Sequence, residues 1–182
     1  LGVTDVGENR HQEAEAKARE CADLDLRWHF VGGLQSNKAA AVARYADVVE
    51  SVDRAKLLGG LSRGAQERGA VLDCLVQVSL DPPDAHGARS GAPPEEVPAL
   101  AEQVGGTDGL RLRGVMAVAP LGEDPAVAFA RLAEVASEVR RIDPSATWVS
   151  AGMSGDLEQA ISAGATHVRI GSAVLGSRPA IK

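Results

Sequence analysis

The stretch WVSAGMSGDLEQAISAGATHVRIGSAVLG, residues 148–176, decides the fold class of this chain. A strand-like run at 147–150 ends in a small-residue corner, GMS, and a helical run follows. A second strand-like run at 167–170 ends in another corner, GS. Strand, helix and strand in succession are typical of a parallel βαβ unit. The two corners each combine a glycine with a serine hydroxyl, which raises the question of what they bind.

The same alternation of strand-like and helix-like runs continues through the rest of the chain. The other predicted strands are 3–6, 26–31, 47–52, 71–79 and 112–118, and the other predicted helices are 9–22, 36–45, 53–68, 94–104 and 124–142. We expect Ser36 and Asp53 to cap the second and third helices, and Gly69 to follow the end of the third. The segment 81–96, rich in Pro, Gly and Ala, predicts a surface loop.

Seven strands that alternate with helices predict an α/β fold with a parallel sheet. An eighth strand before Leu1 would complete a closed (β/α)₈ TIM barrel of the small kind. The chain begins with Leu1 inside a regular pattern, so we expect the first β/α unit to be missing from this sequence. We treat residues 1–182 as a single, N-terminally incomplete barrel domain. The alternative is an open doubly wound sheet, but its usual G-x-G-x-x-G fingerprint does not occur.

The composition excludes several classes of function. The net charge is -6 and no Lys/Arg cluster occurs, which argues against a nucleic-acid partner. No apolar run is long enough to span a membrane. Cys21 and Cys74 lack metal-ligand spacing and indicate reduced thiols in a cytoplasmic protein. With aromatic residues at 3% and no exposed apolar stripe evident, we expect a monomer.

The two corners predict a phosphate site. If the first unit is missing, they follow the seventh and eighth barrel strands, where barrels often hold a phosphate. Gly152 and Gly171 would let the backbone approach the ligand, while Ser154 and Ser172 would offer hydroxyl groups. A helix that begins near Ser154 would add its positive end. The alternative is that Ser154 is only an N-cap and that the glycines only form tight turns.

Arg169 precedes the second corner by two residues and shares a strand face with His167. An arginine stays charged and can only donate hydrogen bonds. Placed against a pyridine nitrogen, it would keep that nitrogen unprotonated.

These residues occur in stretches that resemble the pyridoxal phosphate homeostasis proteins, single-domain relatives of the barrel domain of alanine racemase. The matching stretches span nearly the whole chain: VGENRHQEA (6–14), WHFVGGLQSNK (28–38), ESVDRAKL (50–57), LVQVS (75–79), SGAPPEEV (90–97), LRGVMAVAP (112–120), SAGMSGDLEQAI (150–161) and THVRIGSAVLGSR (166–178). The second and the last two of these stretches are specific to that family.

The resemblance implies a (β/α)₈ barrel that holds pyridoxal 5′-phosphate (PLP). The cofactor-binding residues that it implies are Asn9, His29, Ser150, Met153, Ser154, Arg169, Gly171 and Ser172. Ser154, Gly171 and Ser172 would match the phosphate binders. Arg169 would face the pyridine nitrogen, and Asn9 would lie beside the cofactor.

The family's Schiff-base lysine ends the first barrel strand, and we therefore expect it before Leu1. The lysines present, Lys17, Lys38, Lys56 and Lys182, are not good substitutes for it. The resemblance implies a protein that holds, buffers or delivers the cofactor, with transient contacts to apoenzymes that accept it. It implies no racemase activity, because racemases of this type borrow a tyrosine from a second domain.

Two alternatives come from other classes of protein. The first is a TIM-barrel isomerase or aldolase that acts on a phosphorylated metabolite, with Glu8, His29 or Glu50 as the acid or base. Against it, Glu8 could simply pair with a nearby arginine and His29 could be a hydrogen-bonded strand residue. The second is an interaction protein with a vestigial site, which would bind no phosphate ligand.

Overall fold

The structure, a computed structural model, describes residues 2–82 and 90–176. The strands are β1 (Asp5–Glu8), β2 (Arg27–Phe30), β3 (Val48–Val52), β4 (Leu72–Gln77), β5 (Leu110–Met116) and β6 (Trp148–Ser150). The helices are α1 (His11–Glu20), α2 (Ala39–Ala43), α3 (Leu58–Arg68), α4 (Val97–Gly105), α5 (Pro125–Ile142), α6 (Leu157–Ser162) and α7 (Ser172–Leu175). Short 3₁₀ turns, Ser36–Lys38, Ala55–Leu57 and Pro94–Glu96, lead into α2, α3 and α4.

The six strands form one parallel sheet in the order of the chain, β1 to β6. The sheet is strongly curled. Glu50 on β3 and Ser150 on β6 lie three strands apart, a distance of about 14 Å in a flat sheet. Nevertheless the Ser150 hydroxyl is 2.5 Å from the Glu50 carboxylate. The predicted α/β architecture of the TIM-barrel type is therefore confirmed, as an arc of barrel wall with helices outside it.

The predicted strand at 167–170 is wrong in its extent. In the described chain this segment contributes only an isolated parallel bridge, between Ser150 and His167. The Ala151 amide donates to the His167 carbonyl at 3.0 Å, and the Arg169 amide donates to the Gly152 carbonyl at 2.9 Å. Regular pairing stops there because Gly152 turns away with a φ of +90°, outside strand geometry.

The core has two parts. The larger part lies between the sheet and the helices, and α3 approaches α2 closely because Gly60 and Gly64 face it. The smaller part lies inside the arc, where Val48, Leu75 and Met116 pack with the partly buried Trp148. Such side chains fill the interior of a barrel. The buried charged residues His29, Glu50 and Asp73 therefore each need a partner.

The helix ends differ in part from the expectation. Gly69 ends α3 in the left-handed conformation, with a φ of 71°, which confirms that prediction. The predicted caps Ser36 and Asp53 are wrong. Each helix is preceded by a 3₁₀ turn whose capping positions are Gln35 and Arg54, without a side-chain cap. Of the predicted loop 81–96, residues 83–89 lie outside the described residues.

Among the helices of the described chain, none combines the length and the apolar character needed to cross a membrane.

Candidate functional site

A cavity of about 380 Å³ opens between β1 and the segment that follows β6. It runs along the whole of β1 and reaches the carboxyl ends of the strands, where parallel barrels place their ligands. It is lined by Asp5, Val6, Gly7, Glu8, Asn9, His29, Val31, Glu50, His167, Val168, Arg169, Ile170 and Gly171. Four of the predicted site residues, Asn9, His29, Arg169 and Gly171, therefore meet at one cavity.

Arg169 is held at the cavity by two hydrogen bonds. Its Nη1 donates to the Ser150 hydroxyl and its Nη2 donates to the Ala117 carbonyl, both at 2.8 Å. Ser150 is fully buried and is absent from the cavity lining. Ser150, predicted to bind the cofactor, does not line the cavity and instead contacts Arg169 from behind. Burial lowers the pKa of Arg169, while the charges of Glu50 and Asp156 act in the opposite direction.

His29 is buried between two carboxylates. Its Nδ1 lies 2.7 Å from Glu50 Oε1, and its Nε2 lies 3.0 Å from Asp5 Oδ1. Burial by itself lowers the pKa of His29, but the hydrogen bonds and charges of Glu50 and Asp5 outweigh burial and raise that pKa above 6.5. The same contacts lower the pKa values of both carboxyl groups against the opposing effect of burial. The three groups therefore favour an imidazolium between two carboxylates.

The aromatic rings of His167 and Trp148 lie next to the His29 ring. The His167 and Trp148 ring centroids are 4.5 Å apart, and both rings lie within 6.4 Å of the His29 ring. Burial lowers the pKa of His167. From the other side, the guanidinium groups of Arg27 and Arg113 lie 4.7 Å and 4.3 Å from the centroid of the Trp148 ring, in cation–π range.

The two predicted corners are neighbours, because the Arg169 amide donates to the Gly152 carbonyl. Gly152 cannot be replaced easily, since an added Cβ would lie 2.7 Å from the Cβ of Ala160. Met153, Ser154 and Ser172 are exposed and lie outside the cavity lining. The structure thus does not bring these three predicted residues into the cavity lining.

The helix predicted to begin near Ser154 starts later than expected. The first residue of α6 is Leu157, so Ser154 is not its N-cap. Asp156 occupies the capping position, and its carboxylate accepts the Met153 amide at 2.6 Å. The first corner is therefore a turn stabilised by Asp156, not the direct start of a helix.

The three residues considered for acid–base catalysis, Glu8, His29 and Glu50, all have ion-pair or hydrogen-bond partners. Glu8 pairs with Lys17, a lysine and not the expected arginine, and His29 and Glu50 hold each other. The expectation that His29 is a hydrogen-bonded strand residue is confirmed. Among the described lysines, Lys17, Lys38 and Lys56, none lines the cavity.

Sequence reasoning missed Asp5 and His167 and gave Glu50 no role in cofactor binding. A carboxylate inside the apolar strand VVESV is the one signal that could have drawn attention to Glu50, because a buried charge needs a partner. No comparable signal marks Asp5, which ends up beside His29 only through the pairing of β1 with β2.

Within residues 2–82 and 90–176, no group of three or more His, Cys, Asp and Glu side chains could hold a metal ion. The donors around the cavity instead suit an organic ligand with hydrogen-bond acceptors. Its volume falls in the range of small-molecule sites, roughly 300–1,000 Å³. Arg169 offers a fixed guanidinium donor, Gly171 is an exposed glycine of the lining, and the charges of His29, Asp5 and Glu50 are paired with one another. A donor and an exposed glycine at one cavity fit a phosphorylated pyridine such as PLP.

Comparison with known proteins shows which family this chain is similar to. The family model described as alanine racemase, N-terminal domain, matches residues 1–179. The pyridoxal phosphate homeostasis protein of Corynebacterium glutamicum is 44% identical over 186 residues, which cover 98% of this chain and 82% of the relative. That of Pseudomonas aeruginosa is 44% identical over 180 residues, covering 97% of this chain and 76% of the relative.

A solved structure agrees with these matches. PipY of Synechococcus elongatus PCC7942, solved with PLP bound, is 37% identical, with a TM-score of 0.85. The match covers 96% of this chain and 82% of that one. The resemblance inferred from the sequence motifs is confirmed: the chain belongs to the alanine racemase N-terminal domain family and, within it, to the pyridoxal phosphate homeostasis proteins.

Proposed function

We propose that this chain binds PLP and holds, buffers or delivers it in vitamin B6 homeostasis, without racemase activity of its own. The observation that carries the proposal is Arg169, a cation fixed on the wall of a cavity of suitable volume at the carboxyl ends of the strands. The relative PipY, whose structure was solved with PLP bound, supports the choice of ligand.

Arg169 would face the pyridine nitrogen. Because a guanidinium only donates, it favours a nitrogen that accepts and so carries no proton. Asn9 and His29 would lie beside the ring, since both line the same cavity. Ser150 would act from behind, through its hydrogen bond to Arg169.

The phosphate would lie at the two neighbouring corners. Gly171 lines the cavity, and an added Cβ there would meet nothing within 4 Å, so the space in front of it is open. Ser154 and Ser172 would provide hydroxyl donors, and Met153 would border the group. All three are exposed, which leaves them accessible to a ligand.

The arrangement favours a binding protein over an enzyme. PLP supplies an electron sink when bound, but a racemase also needs a protein base on each face of the substrate. Here His29 and Glu50, the candidate bases of the cavity, form an ion pair with each other. Tyr45, the single tyrosine of the chain, packs against His11 outside the cavity, and burial raises the pKa of its hydroxyl.

A PLP titration followed by absorbance tests the proposal. We expect saturable binding by the full chain, and we expect Arg169→Gln to weaken it by about tenfold or more, since hydrogen bonds to charged groups are worth about that factor. Arg44→Gln is the matched control, because Arg44 forms an exposed ion pair with Glu67 and does not line the cavity. Absence of PLP binding, or equal affinity in Arg169→Gln, would contradict the proposal, as would measurable racemisation of alanine.

We further propose a cytoplasmic monomer that makes transient contacts with apoenzymes. The free thiols of Cys21 and Cys74 support a reducing compartment. Size-exclusion chromatography with light scattering tests the monomer, and transfer of PLP to an added apoenzyme, followed by the recovery of its activity, tests delivery.

A further inference from the structure

Glu50 uses both oxygens of its carboxylate inside the arc. It is 3% exposed. Its Oε1 lies 2.7 Å from His29 Nδ1, and its Oε2 accepts the Ser150 hydroxyl at 2.5 Å. The Ser150 hydroxyl in turn accepts a hydrogen bond from Nη1 of Arg169 at 2.8 Å. A single group, the Ser150 hydroxyl, therefore links the Glu50 carboxylate to the Arg169 guanidinium on the cavity wall.

The direction of each hydrogen bond follows from the chemistry of the groups. An arginine can only donate and an ionised carboxylate can only accept. Ser150 must therefore accept from Arg169 and donate its single proton to Glu50. Removing the serine hydroxyl, as Ser150→Ala does, would break this relay while leaving the contact between Glu50 and His29 intact.

The charges of this chain of contacts balance. Asp5 and Glu50 are negative, and His29 and Arg169 are positive. The described hydrogen-bond partners of the Arg169 side chain, the Ser150 hydroxyl and the Ala117 carbonyl, are both neutral. Arg169 is partly buried, and a partly buried cation whose hydrogen-bond partners are neutral loses hydration without gaining a counter-charge. The Glu50 carboxylate behind Ser150 offsets part of that cost.

We infer that Glu50 is a positioning residue of the cofactor site, which fixes the Arg169 guanidinium at the cavity wall through the Ser150 hydroxyl. This inference rests on the proposed function, in which Arg169 addresses the ligand. Glu50 itself acts through Ser150 and His29. Its role is to keep the guanidinium in one orientation before the ligand arrives, so that binding does not have to order it.

The first test measures PLP affinity in Glu50→Gln, Ser150→Ala and the double variant of the full chain. We expect each single change to weaken PLP binding by about tenfold, and the double variant to be no weaker than the worse single one, because both break the same relay. Glu67→Gln is the matched control, since it makes the same chemical change in an exposed ion pair. Unchanged affinity in Glu50→Gln, or effects that multiply in the double variant, would overturn the inference.

The second test needs no ligand and separates the two proposals. Arginine-selective NMR of the PLP-free protein reports the rotation of the Arg169 guanidinium, whose signals are assigned by their loss in Arg169→Lys. We expect restricted rotation in the natural sequence and faster rotation in Ser150→Ala and Glu50→Gln. If PLP fails to bind but Arg169 is released in these variants, the positioning role holds and the proposed function fails.

If Arg169 stays restricted in Ser150→Ala, the positioning role is wrong whatever PLP does. Ser150→Ala removes a single oxygen atom and keeps the buried pair of Glu50 and His29. It therefore provides the decisive measurement even where Glu50→Gln does not fold.

Discussion

His29 is the residue whose ionisation most affects this site. It stands between Asp5 and Glu50, each of which can only accept a hydrogen bond when ionised. Both ring nitrogens must therefore donate, which requires the imidazolium. The direction of the His29 pKa, raised above 6.5, agrees with the geometry.

This arrangement predicts how stability changes with pH. The folded pKa of His29 is above the unfolded value, so its contribution is fully present below about pH 6.5 and is lost as the pH rises through the folded pKa. The carboxyl groups of Asp5 and Glu50 have lowered pKa values. Their contribution is present above the unfolded values of 3.8 and 4.5 and is lost as the pH falls through the folded ones.

Urea unfolding across a pH series measures both effects. We expect the alkaline decline of the unfolding free energy to flatten in His29→Asn. The control His11→Asn should keep that decline, since His11 lies beside the Tyr45 hydroxyl and the exposed Glu15 and not between two carboxylates in hydrogen-bond range. An alkaline decline of equal slope in His29→Asn would show that His29 is not an imidazolium in the folded protein.

At the scale of elements, the packing of α3 on α2 depends on glycines that face α2. A Cβ added at Gly64 would lie 2.3 Å from the Ala40 carbonyl oxygen and 2.7 Å from the Cβ of Ala43. Gly59, on the same helix, has nothing within 4 Å of such an atom and is exposed. A glycine-to-alanine substitution can therefore be compared at a crowded position, Gly64, and at an open position, Gly59, of one helix.

We expect opposite effects from the two alanine substitutions. Gly64→Ala should lower the unfolding free energy by about 2 kcal/mol, because the helices must move apart. Gly59→Ala should raise it by about 0.5–1 kcal/mol, because alanine restricts the unfolded chain and favours the helix. Thermal and urea unfolding of the two variants give the comparison, and a stabilised Gly64→Ala would contradict the packing described.

The strands and helices could be predicted from the sequence where the hydrophobic periodicity is strong. The prediction failed where pairing with a distant strand decides whether a strand forms. The apolar runs at β3 and β4 mark buried parallel strands, and both formed as expected. The run at 167–170 has the same local pattern but only β6 beside it in the described chain, and it forms a single bridge. Local pattern likewise identified Arg169, whereas its support by Glu50 depends on the curl of the sheet, which no local pattern encodes.

At the scale of the molecule, the amino ends and the carboxyl ends of the strands have different roles. Asp73, near the amino ends of the strands, is 1% exposed and binds Arg27 and Arg111, with Arg113 at 3.9 Å. In barrels, residues at this end serve stability, while the opposite end carries function. Asp73 thus belongs to the structural end, away from the cavity.

The division predicts that Asp73→Asn weakens the fold but leaves the site intact. Removing one partner from a buried ion network should cost about 3 kcal/mol of unfolding free energy. PLP affinity should change by no more than about twofold, as for distant independent sites. Urea unfolding and the PLP titration, measured on the same preparation, test both parts, and a large loss of affinity would show that the two ends are coupled.

Trp148 gives the protein an optical reporter at its centre. Its ring lies 4.5 Å from that of His167, which lines the cavity, and is also in contact with Arg27 and Arg113. Trp28, the other tryptophan, packs on the opposite face of the sheet. In a Trp28→Phe background, all intrinsic tryptophan fluorescence comes from this position. A ligand that absorbs light where tryptophan emits would quench this fluorescence from inside the arc, so that occupancy of the cavity could be followed in real time without a label.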